Sequence, residues 1–99
     1  MKLTISKSTA KNKRFKALFE DKNFKKTINF GLKNPKIGTF IDHGDKEIRK
    51  NYRARHIVRE KKFFNSPLHA STLSYFILWG ESKNLEESIR LFKKKFNLE

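Results

Sequence analysis

Apolar and polar residues alternate with a period of two along the first thirty residues of the chain. The apolar positions form three groups, which are Leu3 and Ile5, then Phe15, Ala17 and Phe19, then Phe24, Ile28 and Phe30. Such alternation is typical of strands with one buried and one solvated face. Polar turn residues over 20–23 separate the second group from the third. The pattern predicts a three-stranded antiparallel sheet whose polar face is nearly all Lys and Arg.

After a loop predicted over 31–38, where Gly, Asn and Pro are frequent, the period becomes that of a helix. Asp42 or Asp45 can cap a first helix that runs to about Lys62. On a helical wheel, Arg55 and Arg59 share the side of the apolar residues of this helix. These two arginines must therefore snorkel, pair with acids or contact a ligand.

Two further helices are predicted in the last third of the chain. Pro67 marks the start of the first, which is apolar on most sides up to Gly80 and is expected at the centre of the fold. Asn84 and Glu87 have the spacing of a capping box at the start of the second. The second helix carries one apolar stripe, formed by Leu85, Ile89, Phe92 and Phe96.

The order of these elements predicts an α+β fold, a small three-stranded antiparallel sheet followed by about three helices packed on one face. Its 99 residues suit a single domain, with a sheet portion over 1–36 and a helical portion over 42–97. The chain has no cysteine, so a disulfide framework is excluded. With no apolar run near ~20 residues and no signal-peptide core, we expect a soluble protein inside a cell or a particle.

The charge balance is strongly basic, since 24 Lys and Arg face 10 Asp and Glu and the net charge is +14. Such a chain attracts polyanions, and nucleic acid, an anionic membrane surface and an acidic protein are the three classes to consider. No helix pairs a strongly basic face with a wide exposed apolar one, so a membrane partner is not expected. A basic surface without any partner stays an alternative.

Cations interleaved with aromatic residues are the strongest functional signal. The aromatic rings are better explained as the buried faces of the strands and helices than as platforms for bases. The cations expected to hold phosphates are Lys13, Arg14, Lys16, Lys25, Lys26, Lys46, Arg49, Lys50 and Arg53. A surface of this kind predicts weak sequence specificity and a steep dependence of affinity on salt.

Asp42, His43, Asp45 and His56 are the only dense group of residues that could support a metal or a nuclease reaction. Their spacing does not match a known set of metal ligands. The two aspartates are explained as helix caps, and His56 by pairing with Glu60 one turn away. No catalytic residue, metal or cofactor is therefore predicted, and a metal-dependent nuclease would require these side chains to converge in one cleft.

Two motifs resemble a known family of small basic proteins of unassigned function, which large nucleocytoplasmic DNA viruses such as marseilleviruses, phycodnaviruses and mimivirus relatives encode. The family pattern Asn-Tyr-x-x-Arg-His matches 51–56, and Ser-x-x-x-Leu-Trp matches 74–79. The similarity covers about 24–96, with Phe63 where many relatives have Trp. It implies a viral protein, packaged in the virion or present in the host cytoplasm (the viral factory) or nucleus.

Charge and resemblance together predict a non-enzymatic protein that binds and compacts nucleic acid largely without sequence dependence, with DNA favoured over RNA. The alternative is a structural or adaptor protein of the virion that binds an acidic viral or host protein. Tyr52, His56 and Trp79 are expected to lock the helices together, and Arg55 is a candidate partner of Asp42 or Asp45. The oligomeric state stays open and includes a dimer.

Overall fold

The computed structural model describes residues 1–33 and 38–99 and contains the predicted sheet. Its three antiparallel strands follow one another in space as in sequence: β1 (Lys2–Lys7), β2 (Lys13–Asp21) and β3 (Phe24–Leu32). The register pairs Leu3 with Phe19 and Phe15 with Phe30, so the apolar positions of the strands share one face. The predicted period of two is therefore confirmed.

The helices follow the sheet, which confirms the predicted α+β fold. They are α1 (Phe40–His43), α2 (Lys46–Glu60) with a 3-10 turn (Lys61–Phe63), α3 (Ala70–Leu73) continuing into a π-helical segment (Ser74–Leu78), and α4 (Leu85–Lys95). The loop predicted over 31–38 is shorter than expected at its start, because Gly31 and Leu32 belong to β3. Within that prediction, residues 34–37 lie outside the described residues.

Side-chain caps explain where the helices begin. The Asp45 carboxylate accepts hydrogen bonds from the backbone N–H groups of Glu47 and Ile48, at 2.9 and 3.1 Å, so Asp45 caps α2. The Asn84 side chain accepts from the Glu87 N–H at 2.9 Å and caps α4 in the same way. Both caps were predicted, whereas the short α1 was not.

The core lies between the apolar face of the sheet on one side and α1 and the helices that follow α2 on the other. Its members, all at most 9% exposed, are Leu3, Phe15, Ala17, Phe19, Phe30, Phe40, Leu73, Ile77, Leu78, Trp79 and Phe92. The predicted apolar stripe of α4 packs against this cluster. Phe24 is the exception among the predicted strand positions, since it is 41% exposed at the start of β3.

The prediction that the other face of the sheet is nearly all Lys and Arg is wrong. Across its middle, the register aligns Thr4, Leu18 and Thr27, and the next row is Ser6, Lys16 and Asn29. Because side chains alternate between the two faces, several strand lysines fall on the apolar side instead. These lysines are Lys7, Lys13 and Lys26, which stay exposed because they lie near strand ends or on an edge strand.

Candidate nucleic-acid interface

Arg14 forms an ion pair with Asp42 that joins the sheet to α1. Its guanidinium donates to both carboxylate oxygens of Asp42, at 2.7 and 2.6 Å. The Thr39 N–H and hydroxyl also donate to Asp42, at 2.7 and 2.8 Å. Arg14 and these hydrogen bonds hold the pKa of Asp42 well below its usual value. The prediction of Arg14 as an exposed phosphate ligand is therefore corrected, and Arg14, not Arg55, is the partner of Asp42.

Arg49 and Arg53 also turn toward the body of the domain. Arg49 donates to the Gly80 carbonyl oxygen at 3.0 Å, and its guanidinium lies 4.7 Å from the centre of the Phe40 ring. Arg53 donates to Glu81 at 3.1 Å and lies 4.5 Å from the centre of the Tyr75 ring. Their expected exposure is corrected, because a planar guanidinium at the edge of a helix face can reach aromatic rings and carbonyls that the wheel does not show.

An aromatic stack attaches α2 to the end of the π-helical segment. The Tyr52 ring lies between His56 and Trp79, with ring centres 4.0 and 4.1 Å away, and it is nearly parallel to Trp79 at 7°. His43 approaches the other side of this group, 5.7 Å from Trp79. Burial, with a smaller effect of Glu60, raises the pKa of Tyr52 to about 12. The contacts confirm the predicted locking role of Tyr52 and Trp79, whereas the contacts of His56 with Tyr52 and Glu60 lie within α2.

The acidic and histidine residues of the suspected metal group have separate local partners. The His43 Nδ1 atom accepts from the Asp45 N–H at 2.8 Å, and His56 lies 3.2 Å from the Glu60 carboxylate. Asp42 pairs with Arg14, and Asp45 caps α2. Within 1–33 and 38–99, no group of three His, Cys, Asp or Glu residues could hold a metal ion. The convergence that a nuclease would require is not found in this part of the chain.

The described lysines are not paired with carboxylates, whereas Arg14, Arg53 and Arg90 are. In the part of the chain that the structure describes, every salt bridge is made by Arg or His, and no lysine takes part in one. Among the predicted phosphate ligands, the exposed ones are Lys13, Lys25, Lys26, Lys46 and Lys50. Lys16 is half-buried on the open face of the sheet.

Four exposed lysines gather where β1 turns into β2. We call Lys7, Lys11, Lys13 and Lys33 the turn lysines. Backbone hydrogen bonds close this end of the sheet, from Ser8 N–H to the Arg14 oxygen and from Lys33 N–H to the Asn12 oxygen, both at 3.1 Å. Sequence reasoning named only Lys13. The antiparallel register could have found Lys7 and Lys33, since strand ends meet at one edge of such a sheet.

The predicted cations of the sheet do not form one continuous track. Lys25 pairs with Glu20, and that position lies seven residues along β2 from Lys13, a distance of about 24 Å in an antiparallel strand. Lys25 and Lys26 are adjacent in β3 and therefore point to opposite faces. Glu20 is also the cross-strand neighbour of Lys2, so an acidic group lies among the cations at that end.

The Arg14–Asp42 pair connects the start of α2 to the same end of β2 that carries Lys13. The Arg14–Asp42 pair fixes α1 to β2, and the cap of α2 comes only three residues after Asp42. Lys46 and Lys50 then lie exposed on one side of α2, one turn apart. The candidate interface therefore consists of the turn lysines together with Lys46 and Lys50. No carboxylate is paired with any of these lysines within the described residues.

Fold and surface define a small basic α+β domain with a lysine-rich end. The chain belongs to DUF5754, a family of unknown function, which matches residues 3–56 and so includes the sheet, α1 and most of α2. No curated protein and no solved structure matches the chain. In the described segments, no helix combines the length and the apolar character needed to cross a membrane.

Proposed function

We propose that this protein binds nucleic acid through its phosphates, with DNA favoured over RNA, and compacts it. The observation that carries the proposal is the group of turn lysines, four exposed ammonium groups without a paired carboxylate in the described structure. Cations held by a rigid sheet end can replace condensed counterions, and the release of those counterions drives binding. Such contacts position the protein without reading sequence.

The charge is large enough for compaction. The longest dimension of the molecule is 41 Å. A DNA duplex of this length carries roughly 24 phosphate charges, at one charge per about 1.7 Å. The net charge of +14 could therefore neutralise more than half of the phosphates that one molecule spans. Together with the resemblance to basic viral proteins, this supports a role in packaging a viral genome in the virion.

The test measures affinity for unrelated DNA duplexes by fluorescence polarisation over ~50–300 mM salt, a range that exposes counterion release. One variant replaces all four turn lysines by Gln. A matched control replaces four exposed lysines elsewhere, namely Lys2, Lys22, Lys61 and Lys94. Both variants lose the same net charge. If the turn lysines bind phosphates, their replacement reduces the magnitude of the salt slope by about 3.6 and weakens binding to every duplex alike.

Two outcomes contradict the proposal. Equal losses in the two variants would mean that net charge, and not the turn lysines, attracts DNA. No binding of the unchanged protein at ~100 mM salt would leave the lysines without this partner, because phosphate-mediated binding is strong at low salt.

A second candidate function is docking to an acidic protein. Three apolar side chains are exposed at the C-terminal end of α2 and just beyond it: Ile57 at 38%, Val58 at 83% and Phe63 at 36%. Apolar anchors among cations suit a protein partner better than a phosphate backbone. Binding of an acidic protein that persists at ~300 mM salt and is lost in V58D would favour this function. Phosphate binding, in contrast, falls steeply with salt.

A further inference from the structure

The outer side of α2 carries three parallel strips of exposed residues. At 100° per residue, the central strip spans about 60° of the helix surface. This strip consists of Glu47, Asn51, Ala54 and Val58. Lys46 and Lys50 border it on one side, and Arg55 and Arg59 border it on the other. Glu47 is the one charged member of the strip, and the charged residues that border it are all cations. The exposed Ile57 lies between Lys46 and Lys50 on the helical wheel.

The polar side chains on the two sides of α2 differ in whether they form hydrogen bonds within the fold. On the inner side, Arg49, Arg53 and His56 each make a hydrogen bond within the fold. On the outer side, no side chain of the three strips makes a hydrogen bond or a salt bridge with a described residue. Asn51 and Arg55 therefore keep all their donors and acceptors for a partner outside the chain.

The contacts that attach α2 to the domain lie on its inner side, so its outer side is exposed to solvent. None of its fifteen residues is buried, so the helix lies on the surface and not in the core. The stack of Tyr52 on Trp79 and the hydrogen bond from Arg49 to Gly80 nevertheless fix its inner side. A helix that is held rigidly along one side and is free along the other can enter a groove without a change in the fold.

We infer that α2 enters the major groove of B-form DNA, with the central strip toward the base edges. This inference rests on the proposed function and adds a base-reading helix to it. An α-helix with side chains is about 10–12 Å wide, and the major groove is about 12 Å wide. The cations on both sides of the strip then meet the two phosphate backbones that border the groove. The deep, narrow major groove of A-form RNA does not admit such a helix.

The chemistry of the central strip matches base edges. The NH2 group of the Asn51 amide can donate to adenine N7, and the amide oxygen can accept from the adenine N6 amine, in a bidentate pair. The Glu47 carboxylate can accept from the exocyclic amine of cytosine, and the methyl groups of Ala54 and Val58 can contact the thymine methyl. The turn lysines supply affinity for any sequence, and α2 adds a preference among sequences.

The experiment selects binding duplexes from a randomised DNA library with the full chain at ~150 mM salt, near physiological ionic strength. N51A removes the amide and places a strong helix former at an exposed position, so the fold is retained. N23A, an exposed asparagine in the turn between β2 and β3, is the matched control. We expect the unchanged protein and N23A to enrich a short motif that contains adenine. We expect N51A to lose about tenfold of the discrimination at one position and to keep its affinity for unrelated duplexes.

A second measurement locates the groove. Replacing the adenines of the enriched motif by 7-deazaadenine removes the major-groove acceptor N7. We expect this change to weaken DNA binding by the unchanged protein and to leave DNA binding by N51A unaltered. Binding of all duplexes alike, with no motif and no effect of N51A, would overturn the inference and leave the proposed function intact. Tighter binding to an RNA duplex or to an acidic protein would overturn it as well. Absence of any DNA binding would overturn the proposed function itself.

Discussion

Arg14 holds both oxygens of Asp42, whereas its neighbour Lys13 extends into solvent. The same division recurs in α2, where Arg49 and Arg53 contact the domain and Lys46 and Lys50 do not. A guanidinium is planar, weakly hydrated and shaped for carboxylates and rings, but an ammonium is compact and strongly hydrated. At the scale of single residues, Arg14, Arg49 and Arg53 therefore stabilise this fold, and lysine supplies most of the surface charge.

The Asp42 pair predicts a stability that depends on acid pH. Its folded pKa lies below the usual value of 3.8, so the pair stabilises the fold above about pH 4 and this contribution is lost as pH falls further. D42N is expected to lower the free energy of unfolding at pH 7 by about 1 kcal/mol, a modest loss because solvent screens a partly exposed pair. Urea unfolding at pH 7, 4 and 2.5 measures the free energy of unfolding of the unchanged protein and of D42N. D21N, at an exposed aspartate, is the control. Equal acid sensitivity of D42N and the unchanged protein would contradict the prediction.

The Tyr52 ring, and not its hydroxyl, is expected to hold α2 in place. The ring is stacked on both sides, and the hydroxyl makes no hydrogen bond with a described residue. Y52A should cost about 3 kcal/mol and Y52F less than about 1, in line with the removal of a packed aromatic ring. Trp79 is the single tryptophan of the chain, so its fluorescence reports the stack directly. A similar loss in both variants would assign the stabilisation to the hydroxyl.

At the scale of elements, the segment after α3 changes from α-helical to π-helical hydrogen bonding. The Trp79 N–H donates to the Ser74 carbonyl oxygen, five residues earlier, at 3.1 Å. The segment ends at Leu78, two residues before the stop that the sequence predicts at Gly80, and no side chain fits at Gly80. A Cβ atom at Gly80 would clash with the Phe76 carbonyl oxygen. The Gly80 carbonyl in turn accepts the hydrogen bond from Arg49, so this turn also positions α2.

Replacing Gly80 by Ala is therefore expected to destabilise the fold more than replacing Gly44. Gly44 ends α1 with φ of +66°, where a side chain costs about 1–2 kcal/mol and the nearest atom belongs to the flexible Lys83. In G80A the new methyl group displaces the Phe76 backbone, so we expect a larger loss of stability than in G44A. Thermal unfolding of both variants compares them, and a melting temperature of G80A equal to or above that of G44A would contradict the expectation.

At the scale of the whole molecule, the net charge of +14 opposes compaction. Salt screens this repulsion, so the melting temperature is expected to rise by several degrees between ~20 and ~300 mM salt. If the protein binds DNA as proposed, a DNA duplex should raise the melting temperature further at low salt, because a ligand of the folded state stabilises that state. Neutral dextran in place of DNA controls for the effect of adding an uncharged polymer. A melting temperature that falls with salt would mean that attractive ion pairs outweigh the repulsion.

Local patterns predicted much of the architecture. The period of two placed the three strands, the capping residues Asp45 and Asn84 placed the starts of α2 and α4, and Gly80 placed the end of the segment before α4 to within two residues. Each of these features depends on residues a few positions apart, and such residues are neighbours in any fold. The net charge is likewise a property of composition alone and does not depend on the fold.

The candidate site depended on the tertiary structure. Arg14 and Asp42 are 28 residues apart in sequence, and only the packing of α1 on the sheet brings them together. The turn lysines meet through strand register, and Arg49 and Arg53 face inward because the rings they contact belong to other elements. A one-dimensional pattern shows which residues are charged, but distance in space decides which charges are neutralised inside the fold and which remain for a partner.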